Sequence, residues 1–339
     1  NKSTDHFNTV LYTGNGSTQS ITGVGFQPDW VWIKGRGSSA YDHQLYDVLR
    51  GVTKAIASNG ADAESTQSTG LTAFDSDGFT LGSHARVNSN GDNKVAWNWK
   101  AGGSGSSNTD GTINTTYTSV NTTSGFSIST YTGTGYNATV GHGLGVAPKV
   151  VIIKNLARTE NWLVGHSSIG FTKFLSLDLT NASQTTSNRF NDTAPTSTVF
   201  SVGTADGSNK SGDSFIAYCF AEKTGFSKFG KYIGTANNDG PFLFTGFKPA
   251  FVLVKIYSDG GSWYIYDNKR GPFNVNDSYL RPNSSNAETT GASFARMDFL
   301  SNGFKLRDNQ NLNGSYNYIY MAFAEEPLVS SNGVPATAR

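Results

Sequence analysis

The chain has 339 residues, a net charge of +1 and only 15% charged residues. That length allows two or three domains of roughly 100–200 residues each, and so weak a field excludes nucleic acid or an anionic membrane surface as the main partner. Abundant glycine (39 residues), frequent Ser, Thr and Asn, and 13% aromatic residues suit short strands joined by tight polar turns and exclude a helical protein.

The first predicted element is the strand Thr9-Val10-Leu11-Tyr12, which enters the turn Thr13-Gly14-Asn15-Gly16. Pro28 then starts Asp29-Trp30-Val31-Trp32-Ile33-Lys34, an apolar run closed by lysine, with proline in the place that suits a strand start. The segment from Gly35 to Thr69 varies, and one short helical turn is expected near Leu45. Leu71–Phe74 and Phe79–Leu81 flank Asp75-Ser76-Asp77-Gly78 and read as a hairpin. Val95-Ala96-Trp97-Asn98-Trp99 is the closing strand.

This order returns twice. The proline-to-lysine stretch recurs at Pro148–Lys154 and Pro249–Lys255, with the lysine six positions after the proline each time. An opening Tyr-x-Gly recurs at Tyr12, Tyr131 and Tyr232, its glycine 14, 15 and 15 positions before the proline. From the lysine to the last large residue of the closing strand (Trp99, Phe220, Phe323) the distances are 65, 66 and 68. Such spacing predicts an all-β chain with very little helix, made of three tandem copies of a β-sandwich or jelly-roll-like domain at 7–101, 125–225 and 226–327. A Gly/Ser/Thr linker at 102–124, flexible over Gly102–Gly111, and a tail at 328–339 complete the expected organisation. Large residues of the closing strands (Trp97 and Trp99, Tyr218 and Phe220, Met321 and Phe323) share one face, and Ala96, Cys219 and Ala322 the other. The central strands are apolar on both faces, as for a strand covered on both sides.

Little in the chain carries chemistry. Asp47-Val48-Leu49-Arg50-Gly51 recurs as Asp267-Asn268-Lys269-Arg270-Gly271 and reads as a structural salt bridge, since the second repeat has His166-Ser167-Ser168-Ile169-Gly170 there. Asp75, Asp77, Asp192, Asp206, Asp259 and Asp267 show no spacing that singles out a hydrolytic carboxylate pair, and turns favour aspartate anyway. Asn88-x-Asn90-x-Asp92 only faintly resembles a calcium loop, and the five histidines lack ligand spacing. No catalytic residue, metal site or cofactor is assigned. Cys219, the one cysteine, excludes an internal disulfide and reads as a small buried hydrophobe. No run approaches the roughly 20 apolar residues of a membrane helix, so membrane insertion is not expected. The chain shows no signal peptide and does not begin with Met, which reads as a fragment or a processed product. Trp30 and Trp32 share a face and read as core or an inter-domain contact rather than a sugar platform. The ligand candidates are the loops after each lysine, at Ser38–His43, Asn155–Trp162 and Tyr257–Trp263, expected to be exposed and free to vary. Their named residues are Tyr41, His43, Asn161, Trp162, Tyr257 and Trp263.

The stretch from Val10 to Lys34 resembles a domain repeated in virion proteins of marine tailed phages, notably those infecting cyanobacteria. Arg50-Gly51, Phe74-Asp75-Ser76-Asp77-Gly78-Phe79, Ala96-Trp97-Asn98-Trp99-Lys100-Ala101 and the ending from Phe323 extend the likeness over repeats one and three, and loosely over repeat two. The resemblance implies a non-enzymatic virion structural protein, a tail fibre or capsid-attached fibre that contributes to host attachment. Its partners would be other virion proteins and a host surface glycan or outer-membrane receptor, and its assembly a homo-oligomer, by analogy a trimer. In that role each added repeat extends reach and adds avidity. A bacterial extracellular adhesin or carbohydrate-binding protein, and a polysaccharide depolymerase, are the rival readings.

Overall fold

A computed structural model describes residues 2–37 and 41–325. The fold is all-β: the only α-helices among the described residues are single turns at Ala85–Asn88, Ser187–Phe190 and Asp206–Asn209. The turn expected near Leu45 is instead the strand Gln44–Asp47, because its alternate side chains are both buried. Two of the three helical turns lead into closing strands.

Three large antiparallel sheets, two of four strands and one of seven, share one four-strand order: opening, closing, central, partner. In unit one these strands are Phe7–Thr13, Asn93–Trp99, Trp30–Gly35 and Gln44–Asp47. Unit two uses Phe126–Thr132, Ser214–Phe220, Val150–Asn155 and Leu163–His166, with Tyr117–Asn121, Lys173–Ser176 and Gln184–Thr185 extending its edges. Unit three uses Ser227–Ile233, Asn317–Ala324, Pro249–Ile256 and Trp263–Asp267. A smaller second sheet completes each unit. It holds the predicted hairpin Leu71–Asp75/Gly78–Leu81 in unit one and the hairpin Met297–Leu300/Gly303–Leu306 in unit three, and pairs Ala138–Gly141 with Val199–Val202 in unit two.

The recurring Tyr-x-Gly has a local cause. Tyr12, Tyr131 and Tyr232 donate their hydroxyls to the carbonyls of Val87, Ser208 and Leu312 (2.8, 2.6 and 2.7 Å). The next residues, Asn88, Asn209 and Asn313, are fully buried, and each accepts a backbone amide just past the glycine, from Asn15, Thr134 or Thr235. The glycine has no alternative: a Cβ at Gly14, Gly133 or Gly234 would sit about 2 Å from a backbone carbonyl oxygen of the facing turn. Asn88, the first residue of the calcium-like pattern, is therefore a turn-holding amide whose side chain already binds Ser17 and Gly82.

Alternation along the strands produces two kinds of core. One face of each large sheet packs on its own small sheet: Val31, Ile33 and Ala96 meet Phe79 and Leu81, and Val151, Ile153 and Cys219 meet Phe200 and Val202. The opposite faces all enter a single shared core. Trp30, Trp32, Trp97 and Trp99 from unit one join Val150, Ile152, Tyr218 and Phe220 from unit two and Phe251, Leu253, Met321 and Phe323 from unit three. Trp30 stacks on Tyr218 with centroids 4.5 Å apart, Trp99 lies 5.7 Å from Phe323, and Phe220 lies 5.8 Å from Phe323. The three sheets thus form a closed ring around a common aromatic centre, rather than a string in which each unit adds reach. Burying the tryptophans at 2% exposure or less settles Trp30 and Trp32 as inter-unit core.

The segment expected to be a flexible linker is held in place. Gly102 donates to the Ser119 hydroxyl, Ser106 and Thr118 exchange backbone hydrogen bonds, and Ile113 donates to Thr139, capping the edge of the small sheet of unit two. Its polar composition suits a chain that runs over a surface making local hydrogen bonds. The expected tail at 328–339 and residues Ser38 to Ala40 lie outside the described residues.

Candidate functional site

The lysine that closes each central strand is fully buried and reaches out of its unit. Lys34 donates to Gly35 and, across to unit three, to the carbonyl of Ser285 (2.9 Å). Lys154 donates to Asn155 and to Ala61 of unit one (3.1 Å). Lys255 donates to Gly261 and to Thr180 of unit two (3.0 Å). A second contact runs parallel to each lysine. Trp162 and Trp263 donate their indole N–H to Ala57 and Ser176 (2.8 and 2.9 Å), and His43 Nε2 lies 3.0 Å from the carbonyl of Arg281. His43 takes the role of tryptophan because Trp32 Nε1 donates to its Nδ1, which leaves the proton on Nε2. Burial holds its pKa well below the ordinary range, so the ring is neutral. The accepting carbonyls are four residues apart in every unit (57 and 61, 176 and 180, 281 and 285), so one receiving segment serves both donors. The contacts run from unit one to three, three to two, and two to one, which closes the ring.

Loss of hydration disfavours the buried ammonium groups and lowers all three lysines from 10.5 to about 8. Between those values the unfolded chain holds protons that the folded chain has released, so stability rises with pH, by at most about 1.4 kcal/mol per pH unit for each lysine. Cys219, pushed up from 9.0 by burial, opposes this with one proton, and the raised buried tyrosines Tyr12, Tyr131 and Tyr232 oppose it above 10.0. The melting temperature is expected to climb from pH 8 to about 9.5 and to fall above pH 10. A profile that is flat or falling from pH 8 onward in a thermal scan would contradict the buried clasps.

The Asp–Arg units form a third junction contact. Arg50 pairs with Asp47 (2.5 Å) and Arg270 with Asp267 (2.6 Å), all nearly or fully buried. Each carboxylate also accepts from the closing strand of a neighbour: Asp47 from the Tyr218 hydroxyl (2.8 Å), Asp267 from Trp97 Nε1 (2.9 Å). At the remaining junction the corresponding closing-strand residue is Met321, which has no such donor. There the aspartate is replaced by His166, whose Nε2 lies 3.3 Å from the carbonyl of Tyr320, and the arginine by Ile169. Donor, carboxylate and guanidinium are thus present together or absent together. The salt-bridge reading of these motifs agrees with this geometry.

The six ligand candidates do not converge on one site. His43, Trp162 and Trp263 are at most 1% exposed and belong to the junctions just described. Their large rings looked like loop residues because the flanking sequence is polar, but each is drawn inward by the carbonyl it serves. Tyr41 is half-buried, with the Lys94 ammonium 4.7 Å from its ring centre. Tyr257 is half-buried against the shared core, and only Asn161 is exposed. Of the aspartates, Asp77 accepts from the amides of Gly23 and Gly25, Asp206 pairs with Lys210, and Asp267 is buried in its junction.

A family model with the description "Domain of unknown function (DUF7483)" matches residues 2–327. The chain belongs to that family. No curated protein and no solved structure matches it. The matched span takes in all three units, so the extent of the DUF7483 domain coincides with the closed ring and not with one repeat.

The ring of this DUF7483 domain has two unlike ends. Strand register puts Phe7, Trp99, Trp30 and Asp47 at one end of the unit-one sheet, and Gly35, Gln44 and Asn93 at the other. The aromatic contacts among Phe7, Trp99, Phe220 and Phe323 bring the matching ends of the sheets together. The chain enters at Phe7, crosses between units after Trp99 and Phe220, and leaves at Ala324, all at this end. The strand ends at Gly35, Asn155 and Ile256, from which the chain continues past each lysine, lie at the opposite end.

Proposed function

We propose that the three units are tandem copies of one β domain, and that the chain is a structural component of a tailed-phage virion, in a tail fibre or capsid-attached fibre, that contributes to host-surface attachment. The likeness of its opening and closing stretches to repeated virion domains supports this. So does the use of the recurring polar residues: the lysines and Asp–Arg units are engaged in holding the ring, and the Tyr-x-Gly pairs in holding the turn before each closing strand. The observation that carries the reading is the polarity of the ring, with chain entry, crossings and exit at one end and three loops at the other. A rigid scaffold that carries loops at its far end is the arrangement of a binding head. Neighbouring virion proteins would hold the first end, and a host glycan or outer-membrane component would meet the loops. Threefold presentation is available within one chain, so the reading does not require a homotrimer.

The test is sedimentation of the purified, fluorescently labelled chain with intact marine cyanobacterial cells, before and after removal of surface polysaccharide. Cell-bound fluorescence that falls when the polysaccharide is removed is the expected result. Absence of binding across a panel of strains would overturn attachment and leave a purely architectural role.

A further inference from the structure

A cleft of about 590 Å³ opens at the loop end of unit three. One wall is the loop after Lys255, with Gly260, Gly261 and Ser262, and the other is the turn before the closing strand, with Asn309, Gln310, Asn311 and Tyr316. The size falls within the roughly 300–1,000 Å³ usual for small-ligand sites. No Asp, Glu, Lys, Arg or His lines it.

Comparison with the other units shows what opens the cleft here. Tyr316 immediately precedes the closing strand, where units one and two have Asp92 and Asp213. Asp213 receives Arg158 from the facing loop at 2.5 and 2.9 Å, together with Asn155, so that the loop is tied down over the turn. Asp92 similarly holds the amide of Gly37 and the ammonium of Lys94. In unit three the position of Arg158 is taken by Asp259, two glycines follow, and tyrosine replaces the carboxylate. The carboxylate tie is gone, leaving the amide of Asn317 donating to the Ser258 hydroxyl (2.9 Å), and the gap beside it stays open.

What remains in the gap has a recognisable chemistry. The Tyr316 ring rests on Gly314, where an added Cβ would come within 2.9 Å of it, yet the residue is 41% exposed. The side-chain amides of Asn309, Gln310 and Asn311 make no hydrogen bond to any other described residue. A supported, exposed aromatic face suits the C–H face of a pyranose ring. Each amide offers a donor and an acceptor side by side, which matches adjacent sugar hydroxyls. With no charged side chain in the lining, nothing there would pair with a uronate, sulfate or sialic acid.

We propose that this cleft binds a neutral glycan, with Tyr316 as the stacking surface and Asn309, Gln310 and Asn311 as the hydrogen-bonding rim. The proposal rests on the attachment reading above and names its ligand class. The test is saturation-transfer NMR and calorimetry on the full chain, with trisaccharides of glucose, galactose, mannose and N-acetylglucosamine, and with alginate trisaccharides as the anionic comparison. At least one neutral trisaccharide is expected to bind in preference to the alginate series. Tyr316→Ala and the paired change Asp259→Arg with Tyr316→Asp, which restores the tie of unit two, are each expected to weaken it at least tenfold with an unchanged melting temperature. Asn309→Ala, at an exposed position, provides a further variant that leaves packing intact. Binding by none of the neutral sugars, a preference for alginate, or full affinity in the variants would overturn the site. Cell adherence separates the two readings: adherence kept by Tyr316→Ala leaves attachment standing and removes this cleft, whereas a wild-type chain that adheres to no cell removes attachment itself.

Discussion

Replacing Asp267 by alanine is expected to destabilise the fold by about 3–5 kcal/mol, because it strands a buried guanidinium. Arg270 is fully buried with its Nε 2.6 Å from Asp267. The same carboxylate accepts from Trp97 Nε1 and from the backbone amides of Lys269 and Arg270, so four donors lose their acceptor together. Glu288 still pairs with Arg270 at 3.0 Å, but it also serves Arg36 and cannot replace the lost contacts at the Trp97 side. Denaturant unfolding with an unchanged slope would report the loss. The informative control is Trp97→Met with Asp267→His and Arg270→Ile, the set that the third junction carries as Met321, His166 and Ile169. Removing the whole charged unit leaves no uncompensated ion, so most of the loss should be recovered, far from the sum of the single effects. A cost below about 1 kcal/mol for the single alanine would mean that the pair is hydrated, as surface pairs of that worth are.

Cutting the ring is expected to be more damaging. A fragment of residues 1–101 would expose Phe7, Trp30, Trp32, Trp97 and Trp99, all at most 2% exposed in the whole chain. At about 1.5–3 kcal/mol for each large side chain, the forfeited burial is on the order of 10 kcal/mol, comparable with the entire stability of an ordinary domain. The isolated unit should therefore not persist as a folded monomer, while the whole chain should unfold in one cooperative transition. Light scattering and calorimetry of the fragment and the parent decide this. A stable, monomeric, cooperatively melting fragment would return the molecule to a set of independent domains.

Much of this was legible in the sequence. Fixed distances from proline to lysine and from lysine to the closing aromatic located the central strands, and period-two alternation assigned Trp97 and Ala96 to opposite faces. Apolar residues on both faces of the central strands announced cover on both sides. What local pattern could not say was who supplies the second cover, since a small sheet, a neighbouring unit or another chain would leave the same alternation. The same gap misplaced His43, Trp162 and Trp263. Their loops are polar, so they read as variable and exposed. Yet they stand 9, 8 and 8 positions after their lysines and four before Asp47, His166 and Asp267. That shared register was a usable sign of a common structural task. Asn88, Asn209 and Asn313 carried a similar sign, lying 11, 11 and 10 positions before the last closing aromatic. The cleft at Tyr316 left no sign of this kind, because it arises where one unit departs from the others.

That departure depends on how the ring is made. In an assembly of three identical chains every substitution is copied at three places, so a change that opens a cleft at one vertex opens it at all, and one that weakens a junction weakens each. A single polypeptide closed on itself is free of that multiplication. Asp92 and Asp213 can go on bracing their vertices while Tyr316 is given over to something else, and the three vertices of one chain can drift apart in sequence without any change in the frame that carries them.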